Sequence, residues 1–255
     1  MCELFGVTSN KKVQLNDYLK EFISHSDEHP NGWGMAFFDN AKYSILREPV
    51  KASNSDYLKE LLENPISSAE MFAHIRLATK GHVECENTHP FVMKDKSGRT
   101  WTLAHNGTIF DAPALSKYQM VQVGSTDSER ILYYIIDRVN EQLELVHFYS
   151  EERIELIESI AEKLSEHNKL NFILHDGEYA YVHINEAGTL HRLEEEGTII
   201  LSTQVLDDKA WEEVEQNTLF VYKDGELIHK GKKHSYGHVT TQEEMDMLFM
   251  NYSEL

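Results

Sequence analysis

The sequence predicts an α+β domain of stacked layers, and three observations carry that expectation. Strand-like segments come first, two long helical segments occupy the middle, and short strand-like segments return afterwards. That order lacks the regular alternation of βαβ units that builds a parallel doubly wound sheet. The 255 residues are 41% apolar and 10% aromatic, which supplies a large core and is unlike a disordered chain.

The elements follow in order. Cys2 to Thr8 is short and apolar-rich and reads as a strand that ends at a polar Ser-Asn-Lys-Lys stretch. Leu15, Tyr18, Leu19, Phe22 and Ile23 recur at helical spacing, so 15–25 reads as a helix. His29-Pro30-Asn31-Gly32 is a turn, and Trp33 to Asp39 with Lys42 to Glu48 reads as a hairpin around Asn40-Ala41. A helix over 54–63 and strands over Ala69–Ala78 and Thr100–His105 come next. The clearest helix starts near Thr126, where Thr126 and Glu129 have the spacing of a capping box. Ile131, Leu132, Ile135, Ile136, Val139 and Leu143 then line one face. A second helix spans about 151–165, and strands follow at 170–175, 179–184, 188–193, 198–203 and 217–223. A hairpin turn covers Tyr222 to Leu227, and the tail from Thr241 reads as a short amphipathic helix.

Charge and composition exclude several functions. With 24 Lys and Arg against 43 Asp and Glu the net charge is −19, and the pI is 5.1. Nucleic acids and anionic membranes demand the opposite sign. There is no apolar run of transmembrane length, and the start has no basic region followed by an apolar stretch. Cys2 and Cys85 do not make a disulfide framework, so the expected setting is a cytoplasm with reduced thiols. The 14 His form no HExxH motif, and no metal or other cofactor is expected. A phosphate loop is also absent. Gly225 to Gly231-Lys232 has one residue too many, and Lys233 stands where Ser or Thr is required.

Each chemistry-bearing segment has a plain structural reading and a chemical one. Cys2 alone is a small buried hydrophobe. Its place directly after Met1 adds another possibility, because removal of the Met leaves a thiol beside its own α-amine. That amine has a reference pKa of about 7.7–8.0 and could serve as the thiol's base. Arg76, at the end of an apolar strand, either reaches to water or binds an anion such as a carboxylate. Ala104-His105-Asn106-Gly107 is either an Asn-Gly hairpin turn or an oxyanion hole made from the Asn106 amide and the Gly107 N–H. Asp127 sits in a helix-capping segment and is free to hold an ammonium. Asn31-Gly32-Trp33-Gly34 and Asn87-Thr88-His89-Pro90-Phe91 read by themselves as a turn and a loop.

Taken in order, these segments resemble the class II glutamine amidotransferases, whose glutaminase domain is an N-terminal nucleophile (Ntn) hydrolase. The resemblance rests on Met1-Cys2, Asn31-Gly32-Trp33-Gly34, His74-Ile75-Arg76-Leu77-Ala78-Thr79, Asn87-Thr88-His89-Pro90-Phe91, Ala104-His105-Asn106-Gly107 and Thr126-Asp127-Ser128-Glu129, all within residues 1–130. It implies a four-layer αββα sandwich of two mainly antiparallel sheets. It implies Cys2 as nucleophile, Asn106 and Gly107 as oxyanion hole, Arg76 on the glutamine α-carboxylate, Asp127 on its α-ammonium, and Thr79 and Trp33 lining the pocket. One departure is Lys80, where many members have His.

By the same resemblance, one glutaminase domain over 1–255 fills the chain, as in the small stand-alone members. The implied activity is cleavage of the glutamine side-chain amide through a Cys2 thioester, releasing glutamate and ammonia. Any partner that takes the ammonia would be a separate synthetase or hydrolase subunit. Two alternatives stand beside it: a hydrolase of γ-glutamyl amides or peptides, and a non-catalytic binding subunit with the same fold.

Overall fold

The computed structural model describes residues 2–39, 42–145 and 149–246. Thirteen strands and four α-helices among these residues form two antiparallel sheets with helices on both outer faces. The expected αββα order is therefore what the chain adopts.

The first sheet holds seven strands: β1 (Glu3–Gln14), β2 (Trp33–Asp39), β3 (Lys42–Glu48), β4 (Ser67–Ile75), β9 (His191–Glu195), β10 (Thr198–Ser202) and β11 (Glu212–Glu213). Its spatial order is β11-β9-β10-β1-β4-β2-β3, so β1 is central. The second sheet runs β13 (Glu226–Lys230), β12 (Thr218–Lys223), β8 (Ala180–Ile184), β7 (Phe172–His175), β6 (Thr100–His105) and β5 (Phe91–Lys94).

Period-two alternation on β1 sets the layers. Phe5 and Val7 join Leu15, Leu19, Phe22 and Leu58 under α1 (Asn16–Ser24) and α2 (Asp56–Glu63). Leu4 points the other way and packs with Phe72, Ala104 and Ile173 between the sheets. Cys2 shares the parity of Leu4 and so belongs to the inter-sheet face. The third layer of core lies under α3 (Asp127–Leu145) and α4 (Ser150–Ser165), where Ile131, Leu132, Ile135 and Val139 meet Trp101, Leu103 and Tyr181. Burying each such side chain stabilises by roughly 1.5–3 kcal/mol. Ser55 caps α2 by accepting from the Leu58 N–H at 3.0 Å, a contact worth about 1 kcal/mol.

Several expectations need correction. β1 runs six residues beyond Thr8, because a register shift between Thr8 and Val13 lets a polar segment keep pairing with β4. The capping box at α3 is half made. Thr126 Oγ1 accepts from the Glu129 N–H at 3.2 Å, but the Glu129 carboxylate turns back to the N–H groups of Val123 and Gly124 at 2.8 and 2.9 Å. Asn106-Gly107 is not a hairpin turn. Beyond β6 the chain keeps running beside its neighbour, with the Asn106 N–H on Asn171 O at 2.8 Å and a bridge between Thr108 and Lys169. β5 and β11, which carry little apolar periodicity, had no counterpart in the sequence reading. The expected tip Asn40-Ala41 lies outside the described residues, as does the tail helix after its first turn at 242–246. No helix among the described residues is long and apolar enough to cross a membrane.

Candidate active site

The motif residues gather at one end of the two sheets. Cys2 precedes β1, Arg76 to Thr79 follow β4, Asn106-Gly107 follow β6, and Asp127 opens α3. Sheet pairing sets this arrangement, since β1 and β4 are antiparallel neighbours with Glu3 opposite Ile75. The start of β1 therefore lies beside the end of β4.

The Cys2 thiol meets the backbone of Leu77 at both its N–H and its carbonyl. Its Sγ lies 3.3 Å from Leu77 O and accepts from the Leu77 N–H at 3.4 Å. Burial pushes the thiol pKa up; nearby Arg76 pulls it down and Asp127 raises it, so both charges act on the sulfur. A thiol held neutral in this way needs a base before it can attack. Thr79 bridges the two sheets, its Oγ1 3.4 Å from Thr108 Oγ1.

Arg76 is buried, and its guanidinium donates to three backbone carbonyls: His82 at 2.9 Å, Lys80 at 2.9 Å and Gly81 at 3.1 Å. The carbonyl edge of the loop after β4 thus faces the guanidinium. Asp127 is buried at the N-terminus of α3, where the helix dipole favours a carboxylate. Its Oδ2 accepts from the Ile109 N–H at 2.8 Å and its Oδ1 from the Ser128 N–H at 2.9 Å. Lys80 Nζ lies 3.9 Å from Oδ2 and also donates to Ile109 O.

Gly107 tolerates no side chain. A Cβ there would lie 2.1 Å from Lys169 O, so only glycine lets the two segments run side by side. Asn106 is buried beside it, and its Oδ1 has no hydrogen-bond partner. His105 sends Nδ1 to Ser128 Oγ at 2.9 Å, which ties this strand end to α3. Gly34 is similarly forced, because a Cβ would meet His89 O at 2.0 Å.

Trp33 corrects an expectation. It points to the opposite face of the first sheet, buried among the α1 and α2 contacts, with Nε1 on Glu48 Oε2 at 3.2 Å and its ring stacked on Tyr57. It supports the start of β2 rather than lining the inter-sheet space. Asn87 carries a role that its segment did not disclose. Its Oδ1 accepts from the Ser125 N–H at 2.7 Å, and its Nδ2 donates to His82 O at 3.0 Å and to Ser125 Oγ at 3.1 Å. This side chain staples the loop after β4 to the entry of α3. The only hint was an Asn with no neighbour to cap or turn.

Three histidines surround the site as neutral rings. Burial lowers His74 to about 3, with Arg76 adding to the effect, and lowers His89 and His105 as well. His74 and His89 stack at 4.1 Å between centroids. Among the described residues no group of three or more His, Cys, Asp or Glu is placed to hold a metal ion.

An open cavity of about 810 Å³ lies at the other end of the sheets, lined in part by Glu70, Arg99, His175, Asp176, Glu178 and Lys223. It has no cysteine, and several of its ionisable groups pair with one another, such as His175 with Glu70 at 3.0 Å and Lys223 with Glu178 at 3.2 Å. The thiol and the motif residues lie at the Cys2 end, and the candidate site is placed there on chemistry rather than on volume.

Comparison with known proteins bears on the family and the fold. The sequence profile of the class-II glutamine amidotransferases matches residues 1–196. An uncharacterised protein of Methanocaldococcus jannaschii is 30% identical, over 91% of this chain and 72% of its own. A Haemophilus influenzae protein that carries a provisional glutamine amidotransferase name is 29% identical, over 89% and 86%. In structure, a predicted glutamine amidotransferase from Pseudomonas aeruginosa superposes with a TM-score of 0.62 at 21% identity, covering 89% of this chain and all of that one. The glutamine phosphoribosylpyrophosphate amidotransferase of B. subtilis gives 0.67 at 16% identity, and this chain spans 49% of its length. These two structural likenesses speak to the fold; the profile match over most of the chain speaks to the family. The chain belongs to the class-II glutamine amidotransferases.

Proposed function

We propose that the protein hydrolyses the side-chain amide of glutamine, with Cys2 as nucleophile after removal of Met1. The observation that carries this reading is the contact of Cys2 Sγ with the Leu77 backbone, one residue from Arg76. It puts a thiol beside the residue proposed to hold the α-carboxylate, with Asp127 near enough to act on the same sulfur.

In the proposed reaction the thiol proton passes to the freed α-amine of Cys2. Sulfur attacks the amide carbon, and the developing oxyanion is met by the Asn106 amide and the Gly107 N–H. The α-ammonium then protonates the departing nitrogen, the C–N bond breaks and ammonia leaves. Water hydrolyses the γ-glutamyl thioester to glutamate and restores the thiol. Arg76 and Asp127 bind the amino-acid end by opposite charges, and Thr79 lines the site. Such fixed orientation is worth several kcal/mol of barrier. The buried thiol, raised rather than lowered in pKa, supports the need for an adjacent base. Ammonia would pass to water or to a separate acceptor subunit.

The test is glutamate release from glutamine by protein whose intact mass shows loss of Met1. Cys2→Ala is expected to fall to background. Appreciable glutaminase activity in that variant overturns the assignment.

A further inference from the structure

Both groups proposed to recognise the amino-acid end of the substrate are already engaged, and by the same short loop. Arg76 donates to the carbonyls of residues 80, 81 and 82, at 2.9, 3.1 and 2.9 Å. Asp127 faces the ammonium of Lys80 at 3.9 Å, and that ammonium also donates to Ile109 O, the carbonyl of the residue whose N–H binds Asp127. The loop therefore offers oxygens to the cation and an ammonium to the anion. This is the polarity of an α-amino acid: carboxylate on Arg76, ammonium on Asp127.

We infer that residues 80–82 act as a built-in surrogate for the amino-acid end of the substrate, and that Lys80 is the specificity-determining residue that a substrate's α-ammonium displaces from Asp127. The inference rests on the proposed roles of Arg76 and Asp127. The two exchanges differ in strength. At Arg76 a charged carboxylate replaces neutral carbonyls, and charge-assisted bonds are about twice as strong as neutral ones. At Asp127 one ammonium replaces another, so little is gained. Lys80 thus sets how much the substrate's ammonium contributes to binding. Its side chain is 34% exposed, so it has room to swing into water, whereas the Asp127 side chain is 5% exposed and stays in place. Asn87 Nδ2 also donates to His82 O and keeps the loop tied to the entry of α3 when Lys80 leaves.

The experiment compares glutamine with its des-amino analogue, glutaramic acid, in the wild type, Lys80→Met and Lys80→Arg. Methionine keeps the length of the side chain and removes the competing charge. Lys80→Met is expected to lower the KM for glutamine by about two- to fivefold, the scale of a half-exposed ion pair. It should also raise the preference for glutamine over glutaramic acid by at least that factor, because Asp127 then lacks a cation unless the ligand brings one. Lys80→Arg is expected to restore the wild-type KM and preference. Matched melting temperatures exclude a folding defect, and a purely structural role for Lys80 would not move the preference between the two ligands. If the wild type hydrolyses glutamine and Lys80→Met leaves KM and preference unchanged, or raises KM, the surrogate role is overturned while the glutaminase reading stands. If the wild type releases glutamate from neither glutamine nor a γ-glutamyl amide, both are overturned together.

Discussion

One buried Arg and one buried Asp at each end of the sandwich set a closed structural pair against the proposed recognition pair. At the far end Arg153 Nε meets Asp176 Oδ2 at 2.9 Å, and the second nitrogen reaches Glu178 at 2.7 Å. Asp176 also accepts from Tyr181 Oη at 2.9 Å and from the N–H groups of Glu178 and Tyr179 at 2.9 and 2.8 Å. That carboxylate is saturated by Arg153 on α4, Tyr181 on β8 and the turn between β7 and β8, and the two charges satisfy each other. At the Cys2 end Arg76 bonds to loop carbonyls and Asp127 bonds to two backbone N–H groups and faces a lysine. On the proposed reading, each of these charges rests against groups that an amino acid can replace. A closed pair stabilises the fold; on the proposed reading, charges met by a loop stay available to a ligand.

The largest expected effect breaks the closed pair. Arg153→Met leaves Asp176 buried and charged without its principal partner, which costs about 3–5 kcal/mol of stability. Denaturant unfolding checks this, and a loss under 1 kcal/mol would remove the distinction drawn above. Asn106→Ala addresses the other end. It should leave stability nearly unchanged while lowering kcat for glutamine by about 10²–10³, equivalent to roughly 2.7–4 kcal/mol of transition-state stabilisation. An unchanged kcat would take Asn106 out of the oxyanion hole.

The smallest effect comes from pH. The fold keeps His74 neutral down to about pH 3, whereas an unfolded His protonates near 6.5. Protons therefore favour the unfolded chain throughout that window. The stabilisation is complete above pH 6.5 and shrinks as pH falls toward 3, by roughly 1 kcal/mol per pH unit for such a ring. His89 and His105 are lowered too and add in the same direction. Unfolding measured at pH 7 and 5.5 should show this loss, and His74→Gln should make the slope shallower. An unaltered slope would mean that His74 does not carry it.

The fold was legible wherever periodicity was strong. The Ile131 to Val139 face fixed α3, and Leu15 to Ile23 fixed α1, because a helix shows its buried stripe every three to four residues. β5 escaped notice because four residues between loops carry too little pattern, and the extension of β1 escaped because residues 9–14 are polar apart from Val13 and show no apolar alternation. The candidate site was legible as residue types. Trp33 was misplaced because strand parity, not proximity in sequence to a motif, decides which face a side chain occupies. Asn87 was missed because its partners, Ser125 and His82, lie on two different segments.

By itself, the sequence determined the layered class, the helices and the inventory of a thiol, two opposite charges and an Asn-Gly pair. Those follow from local preference and side-chain chemistry, which a linear string carries. Only the tertiary structure decided that Cys2 faces Leu77, that Arg76 and Asp127 are both occupied by residues 80–82, and that Asn106-Gly107 continues a strand pairing rather than turning. These depend on antiparallel register between strands some seventy residues apart, which brings the start of β1 beside the end of β4.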